Sequence, residues 1–326
     1  MDLQKVDLTV DELLKTKGNL LKLKAIAGKK GVNRVIRAFE VNRPGLALLG
    51  QIDEFRAERI QVIGRGEEGL FKKCDPKVFN PNLERILTHK ELPCFIITWN
   101  MPASRALVNL CNRHGVPLLQ SSLDTAHLVG ELTTFLEERL APMEYVHGVL
   151  VGVYGLGLLL TGESGIGKSE CALELLKRGH LFVADDLIRI KRFPGQVLIG
   201  EAARREFAHY VEVRGLGIID VTSLFGIGSV MDRIPIELVV SLEVWERGPS
   251  TKKYERVGLE DKTLSILGVD MPHVKFPVYP GRNLAILIEV ASLNQRLRNK
   301  GINIARDFQD KLLSHMNIQK KRVADG

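Results

Sequence analysis

Gly162-Glu163-Ser164-Gly165-Ile166-Gly167-Lys168-Ser169 is the stretch on which the reading of this chain turns. It fits the spacing G-x-x-x-x-G-K-[ST] of a nucleotide-phosphate loop. Gly162, Gly165 and Gly167 let the backbone turn tightly and bring its N–H groups to phosphate oxygens. Lys168 supplies a point charge for the outer phosphates, and the Ser169 hydroxyl stands where it can ligate Mg²⁺. The flanks suit the motif. Residues 156–160 form an apolar run expected to be a buried strand. Residues 170–177 read as a helix with Ala172, Leu175 and Leu176 on its apolar face. Such a helix points its positive end at the same anion.

The whole chain sets wider bounds. Its 326 residues suit two ordinary domains or one very large one. A hydrophobic content of 45% and a charged content of 26% are those of a globular protein that can bury a core. The formal charge of +7 is compatible with a phosphate-rich substrate, an acidic partner or nucleic acid, and selects none of them. Cys74, Cys94, Cys111 and Cys171 are scattered without a CxxC pair, which argues against zinc and a disulfide framework and for reduced thiols in a cytoplasm. The N-terminus lacks a signal-peptide pattern, and no apolar run reaches the ~18 residues of a membrane span.

Along the first 140 residues short strands and helices alternate, which predicts a small α/β domain. A strand and a helix are expected within 1–20, with Asp11 as the cap, and a strand over 35–41 broken by Asn42-Arg43-Pro44-Gly45. Another strand is expected at 60–63, ended by Gly64-Arg65-Gly66, and a Pro-rich turn at Pro76 and Pro81. Then follow a strand at 92–98, a helix at 102–114, a strand at 116–119 and a long helix at 122–140. His89, His114 and His127 stand apart from other ligands and read as ordinary surface or core histidines. The domain boundary falls near 130–142, giving domains 1–132 and 133–326.

In the second half, residues 145–153 alternate as a strand, and Gly155-Leu156-Gly157 turns the chain into the phosphate-loop strand, so the two are expected to form a hairpin. Residues 181–184 then lead to Asp185-Asp186. Ligands gather at strand C-termini in open α/β sheets. Adjacent strand residues face opposite ways, so one carboxylate is expected to point at the phosphates and the other to serve a metal or cap backbone. Val211-Glu212-Val213-Arg214-Gly215-Leu216-Gly217-Ile218-Ile219-Asp220 gathers acids, an Arg and glycines in one run, with Glu212 a candidate Mg²⁺ ligand. A strand is expected at 236–244, a charged loop at 245–253, and a Pro/Gly turn with an Arg at Pro277-Val278-Tyr279-Pro280-Gly281-Arg282-Asn283. Residues 284–290 read as strand or early helix, and helices follow at 291–301 and 304–315. The basic tail at 320–322 reads as a solvated end. The guanine-reading run Asn-Lys-x-Asp is missing, and so is the protein-kinase set of a Val-Ala-Ile-Lys strand, His-Arg-Asp and Asp-Phe-Gly.

Taken in order, these runs resemble the HPr kinase/phosphorylase family. The matching stretches are Val146-His147-Gly148, the 162–169 loop, Val183-Ala184-Asp185-Asp186, the 211–220 run, Tyr254-Glu255-Arg256-Val257-Gly258-Leu259 and the 277–283 turn. They cover the second half, while the first half matches less specifically, through Asn42-Arg43-Pro44-Gly45. The resemblance implies an α/β fold: a small N-terminal α/β domain, then a phosphate-loop kinase domain resembling phosphoenolpyruvate carboxykinase. It implies a bifunctional cytoplasmic enzyme. Such enzymes phosphorylate a serine of HPr or an HPr-like phosphocarrier with ATP or pyrophosphate and Mg²⁺, and remove that phosphate by phosphorolysis. Relatives are homohexamers in carbon control; neither nucleic acid nor membrane is implied as a partner.

By the same resemblance, Asp186 is the acid/base, Lys168 the phosphate-holding lysine, and His147 and Arg256 further active-site residues. Gly162, Glu163, Ser164, Gly165, Ile166, Gly167, Lys168 and Ser169 bind the nucleotide, and Ser169 and Glu212 bind Mg²⁺. Val211, Glu212, Arg214, Gly215, Gly217 and Asp220 belong to the signature used in both directions. Pro277, Pro280, Gly281 and Arg282 belong to the loop needed mainly for dephosphorylation. The sequence departs from the family at Glu163, where Asp is common, at Tyr279, where some relatives have Arg, and in a longer loop after Trp245. A small-molecule kinase and a non-catalytic nucleotide sensor remain the alternatives. The Asp pair, Glu212 and the late arginines favour catalysis over sensing.

Overall fold

The computed structural model describes residues 8–245 and 262–324, with side chains through 314. The chain divides into two compact units, 2–141 and 142–326. Residues 133–140 complete the last helix of the first unit, Thr125–Leu140.

In the first unit five strands line up in the order Leu23–Ala27, Leu118–Ser121, Phe95–Ile97, Ile60–Ile63, Val41–Asn42. All neighbours run parallel except the first pair. Both faces are covered, so the central strands read as continuous apolar runs rather than alternating ones. Ile63, Phe95 and Ile97 pack under Phe79, Leu83, Leu107 and Leu110. Ile60, Val62 and Ile96 pack against Leu13, Leu128, Leu132 and Leu136 on the other face.

Several local expectations change. The first helix, Val10–Lys17, is capped by Thr9 and not by Asp11. Glu12 N–H donates to Thr9 Oγ1 at 3.2 Å and Thr9 N–H donates to Glu12 Oε2 at 3.0 Å, a reciprocal box that Asp11 cannot form. The strand expected over 35–41 is two short strands, Val35–Ile36 and Val41–Asn42, in different sheets. Pro76 and Pro81 lie in a helix, Pro76–Leu87. Pro76 takes the first helical position, where its missing N–H costs nothing. Burial of Phe79, Leu83, Ile86 and Leu87 overrides the break that Pro81 signals.

Among the described residues, the second unit is built on a nine-stranded sheet. Its organising strand is Arg233–Val244. It starts antiparallel to Val197–Ala202 and continues parallel to the phosphate-loop strand Leu156–Gly162. It ends parallel to Val269–Val278. The expected hairpin is present, with Val149–Val153 antiparallel to Leu156–Gly162. The strand expected over 145–153 divides at Gly148 into Met143–His147 and Val149–Val153. A Cβ at Gly148 would stand 2.6 Å from the Leu160 carbonyl oxygen. Leu158, Leu160, Val240 and Leu242 pack under the helices Lys168–Lys177 and Leu284–Asn299, where Ala172, Leu175, Ala285 and Ile288 are buried. Leu159 and Val239 face the other way, onto Ile188, Ile190 and Leu198. Residues 284–290, read as strand or early helix, are the start of that second helix, capped by Asn283.

Candidate functional site

The carboxyl ends of Leu156–Gly162, Arg233–Val244 and Val269–Val278 lie side by side, with Gly162 opposite Leu242 and Leu242 opposite Phe276. Gly162 is forced by its neighbours: its φ is 147°, and a Cβ there would sit 2.7 Å from the Leu242 carbonyl oxygen. The loop then turns into the helix Lys168–Lys177. Its N-cap, Gly167, has no side chain to hydrogen-bond the first-turn N–H groups. Those N–H groups have no partner within a helix and carry the positive end of its dipole, so this end is open to an anion. Lys168 Nζ donates to the carbonyls of Gly162 and Glu163, both at 2.9 Å, which folds the cation over the loop. Glu163, Ser164 and Gly165 are exposed at the loop tip, and Ile166 packs against the core beneath.

Asp185 and Asp186 fall in the tight turn between the strands Leu181–Ala184 and Leu187–Phe193. Residue spacing leaves open which of them faces the 162–169 loop, and it is Asp185 that meets it. Ser169 Oγ donates to Asp185 Oδ2 at 2.9 Å, and Asp186 N–H donates to Asp185 Oδ1 at 2.9 Å. Burial pushes the Asp185 carboxyl up. Hydrogen bonds from Ser169, from Asp186 N–H and from the Glu212 backbone oppose that shift without cancelling it. Asp186 turns the other way, with a left-handed φ of 71°, a conformation costly for a non-glycine residue and often found at functional turns. Its carboxylate is 88% exposed, and Oδ1 stands 3.5 Å from His147 Nδ1. The backbone fixes this pair: Gly148 N–H donates to the Asp186 carbonyl at 3.0 Å, and His147 lies opposite Leu187 in the sheet.

The 211–220 run folds as a hairpin, Tyr210–Val213 with Gly217–Asp220, and its residues sort by face. Val211 is buried in the core. Glu212 is on the other face and exposed, and Arg214 and Gly215 are exposed in the turn that follows Val213. Arg214 reaches the phosphate loop: a Cβ built on Gly165 would meet its guanidinium at 2.7 Å. Asp220 is a helix cap, accepting from Thr222 N–H at 2.9 Å and from Ser223 Oγ at 2.6 Å. Hydrogen bonds from the Ser223 side chain and backbone hold its carboxyl below the ordinary range.

The 277–283 turn leaves the sheet at the same edge as the phosphate loop. Pro280 and Gly281 form its bend. Arg282 folds back, donating to the Pro277 carbonyl at 3.1 Å and lying 5.3 Å from the Tyr279 ring centroid. Asn283 Nδ2 donates to Glu174 Oε1 at 2.8 Å, which ties this turn to the phosphate-loop helix. Arg256 and the rest of the 254–259 run lie outside the described residues.

Two features went unread in the sequence. One is the role of Asp185 as the partner of Ser169. The other is a polar chain on the far face of the sheet: Thr161 Oγ1 lies 2.9 Å from Ser241 Oγ, which lies 2.8 Å from His273 Nε2. Burial first, then the charge of Lys275, pushes the His273 imidazole down. A hydroxyl at the last strand position before Gly162 is the one signal that could have pointed to it.

Fold and site together define a class: a two-unit α/β protein whose second unit presents an uncapped glycine loop beside an acidic turn. Comparison with known proteins narrows it. Residues 138–312 match the HPr Serine kinase C-terminal domain, and residues 8–136 match the HPr Serine kinase N terminus. The chain belongs to the HPr serine kinase family. It is similar to the HPr kinase/phosphorylase of Brevibacillus brevis, 46% identical over 88% of this chain and 90% of the relative. A relative of the same name from Alkaliphilus metalliredigens is 40% identical over 97% of this chain and 99% of its own. Among solved structures, the Hpr(Ser) kinase/phosphatase from Coxiella burnetii matches 48% of this chain and 93% of its own, at 38% identity and a TM-score of 0.43.

Proposed function

We propose that this protein is a bifunctional, cytoplasmic HPr kinase/phosphorylase. It transfers phosphate from ATP or pyrophosphate to a serine of HPr or an HPr-like carrier, and removes it by phosphorolysis. The observation that carries the reading is the uncapped loop helix with the Asp185-Asp186 turn held against it through Ser169. A two-unit family relationship over nearly the whole chain supports it. Phosphoryl transfer needs charge neutralisation and in-line placement more than covalent chemistry, and this edge of the sheet gathers the groups for both.

Residues 162–169 wrap the donor phosphates, with Lys168 turning from its loop carbonyls to the outer phosphates. Ser169, Glu212 and Asp185 offer only oxygen donors, which suits Mg²⁺, a hard cation that takes few protein ligands and shares its shell with phosphate and water. Bound there, Mg²⁺ neutralises phosphate charge. Asp186, exposed and aimed away from the loop serine, takes the proton of the incoming seryl hydroxyl as its oxygen attacks phosphorus and the bond to the donor's leaving phosphate breaks. In the reverse direction inorganic phosphate attacks phosphoserine and gives its proton to Asp186. Asp186 passes that proton to the departing serine oxygen, and pyrophosphate leaves. His147, whose Nδ1 stands 3.5 Å from Asp186 Oδ1, is assigned to holding or activating the phosphate. Arg214, Arg256 and Arg282 are the guanidinium groups assigned to phosphoryl oxygens. The phosphoenolpyruvate carboxykinase-like core and the homohexamer belong to the same proposal.

The test is incubation with HPr, Mg²⁺ and ATP, followed by excess phosphate. Phosphoserine forms, then disappears with release of pyrophosphate. Asp186→Ala loses both activities and keeps nucleotide binding. Transfer within about tenfold of wild type would refute the base assignment.

A further inference from the structure

The first unit contains a cavity of about 460 Å³, lined wholly by its own residues. Well-packed interiors hold few voids larger than a water molecule, whereas ligand sites run from ~300 to ~1,000 Å³. Its floor is Ile63 and Ile97, the last residues of two adjacent parallel strands. That is the sheet edge at which α/β proteins place ligands. The walls are Phe71, Phe79, Met101 and Leu107, with the two phenyl rings 5.0 Å apart and tilted. Such a lining holds an apolar body and gives water few partners.

Besides the Asn80 amide, polar groups occur at two places. Lys72, 72% exposed, pairs with Glu68 at 3.0 Å. The second place is the first turn of the helix Arg105–His114, where Ser104 and Ala106 line the cavity. Ser104 Oγ accepts from Leu107 N–H at 3.2 Å, and the N–H groups of Arg105 and Ala106 have no partner within the helix. A helix start and an ammonium group favour one negative charge. Arginine is absent from the lining and Glu68 is close, so phosphate dianions are disfavoured.

We propose that this cavity binds a small amphiphile with an apolar body and a single carboxylate. The body packs against the contacting rings of Phe71 and Phe79, and the carboxylate meets Lys72 and the first turn at Ser104–Ala106. Among the described residues, every lining residue comes from 2–141, so the cavity is built without residues of the 162–169 loop.

Cys74 provides the readout. It lines the cavity and is partly exposed, whereas Cys94, Cys111 and Cys171 are buried. In the full chain, alkylation of Cys74 by N-ethylmaleimide is followed by mass spectrometry with 4-phenylbutyrate, 4-phenylbutylamine or 4-phenylbutanol present. Phenylbutyrate at about ten times its dissociation constant slows labelling roughly tenfold, and the amine and alcohol slow it less than about twofold. Lys72→Glu, at an exposed position, removes the protection, and Ala106→Phe, which fills the mouth, removes binding. Equal protection by all three probes, or by none at millimolar concentration, overturns the proposal. The wild-type comparison of head groups decides it even where a variant folds poorly. No turnover is read, so failure here leaves the proposed catalytic function untouched.

Discussion

Each unit contains a parallel strand that runs through a glycine into a helix, and the two junctions end differently. In the first unit Ile60–Ile63 passes through Gly64 into Arg65–Lys73. There the helix start is plugged from within: Gly64 N–H donates to Glu67 Oε2 at 2.9 Å, and Arg43 closes on the same carboxylate at 2.6 and 2.8 Å. Glu67 is 7% exposed. Burial alone would push its carboxyl up, but the Arg43 and Gly64 hydrogen bonds outweigh it and hold it below the ordinary range. A Cβ at Gly64 would lie 2.6 Å from Thr125 Oγ1, so the junction is packed shut. In the second unit the corresponding helix start at Gly167 has no side-chain cap, and the nearby cations are Lys168 and Arg214. The same local topology is a structural joint when a carboxylate fills it and, left open, is the junction to which the proposed function assigns an anion. What separates them is a buried acid three residues after the glycine, not the glycine itself.

The largest expected effect comes from weakening the open junction. Lys168→Met removes the ammonium folded over the loop, and transfer to the carrier should fall about a hundredfold or more with the unfolding midpoint unchanged. A smaller fall would mean that Arg214 and the backbone N–H groups suffice. Asp185→Asn should separate activity from stability. The folded state holds this carboxyl above its ordinary pKa, so the ionised form costs folding free energy at neutral pH, and that cost grows as pH rises through the folded pKa. The variant should lose about tenfold to a hundredfold in transfer while its melting temperature stays level or rises. A lower melting temperature with full activity would reverse the assignment.

The closed junction predicts the opposite pattern. Glu67→Gln should destabilise the first unit by about 1–3 kcal/mol, read from Trp99 fluorescence in urea on a Trp245→Phe background, and leave transfer unchanged. The sign of its pH dependence is fixed. Since the folded pKa lies below the ordinary 4.5, the stabilisation is present above pH 4.5 and is lost as pH falls through the folded value. The wild type and the variant should therefore converge in stability on acidification. Parallel curves down to low pH would show that the carboxylate does not hold the joint.

The two tests that involve single carboxylates also show how legible the site was. The loop 162–169, its strand and its helix were readable because glycine spacing, an apolar run and a 3.6-residue period are local properties. So was the pairing of Val149–Val153 with Leu156–Gly162, announced by a short turn. Thr9 was missed as a cap because Asp11 is the commoner kind of signal, and only the reciprocal contact with Glu12 distinguishes them. Residues 187–202 passed unread, although they form two strands of the main sheet. The alternating Arg, Lys and Ile of 187–193 suit an interior strand exposed on one face and give no motif.

The sequence by itself determined the glycine-lysine-serine spacing of 162–169, the acidic pair one helix later, and which family the chain resembles. Those follow from residue type at fixed spacing. Only the tertiary structure decided which of two adjacent carboxylates meets Ser169, because a left-handed turn at Asp186 rotates the pair in a way strand alternation does not foresee. It also decided that Arg214 reaches Gly165, that Asn283 reaches Glu174, and that one glycine junction is plugged while the other is open. Each of these rests on residues far apart in the chain or on a turn whose direction is set by packing, and such contacts are chosen by the fold as a whole.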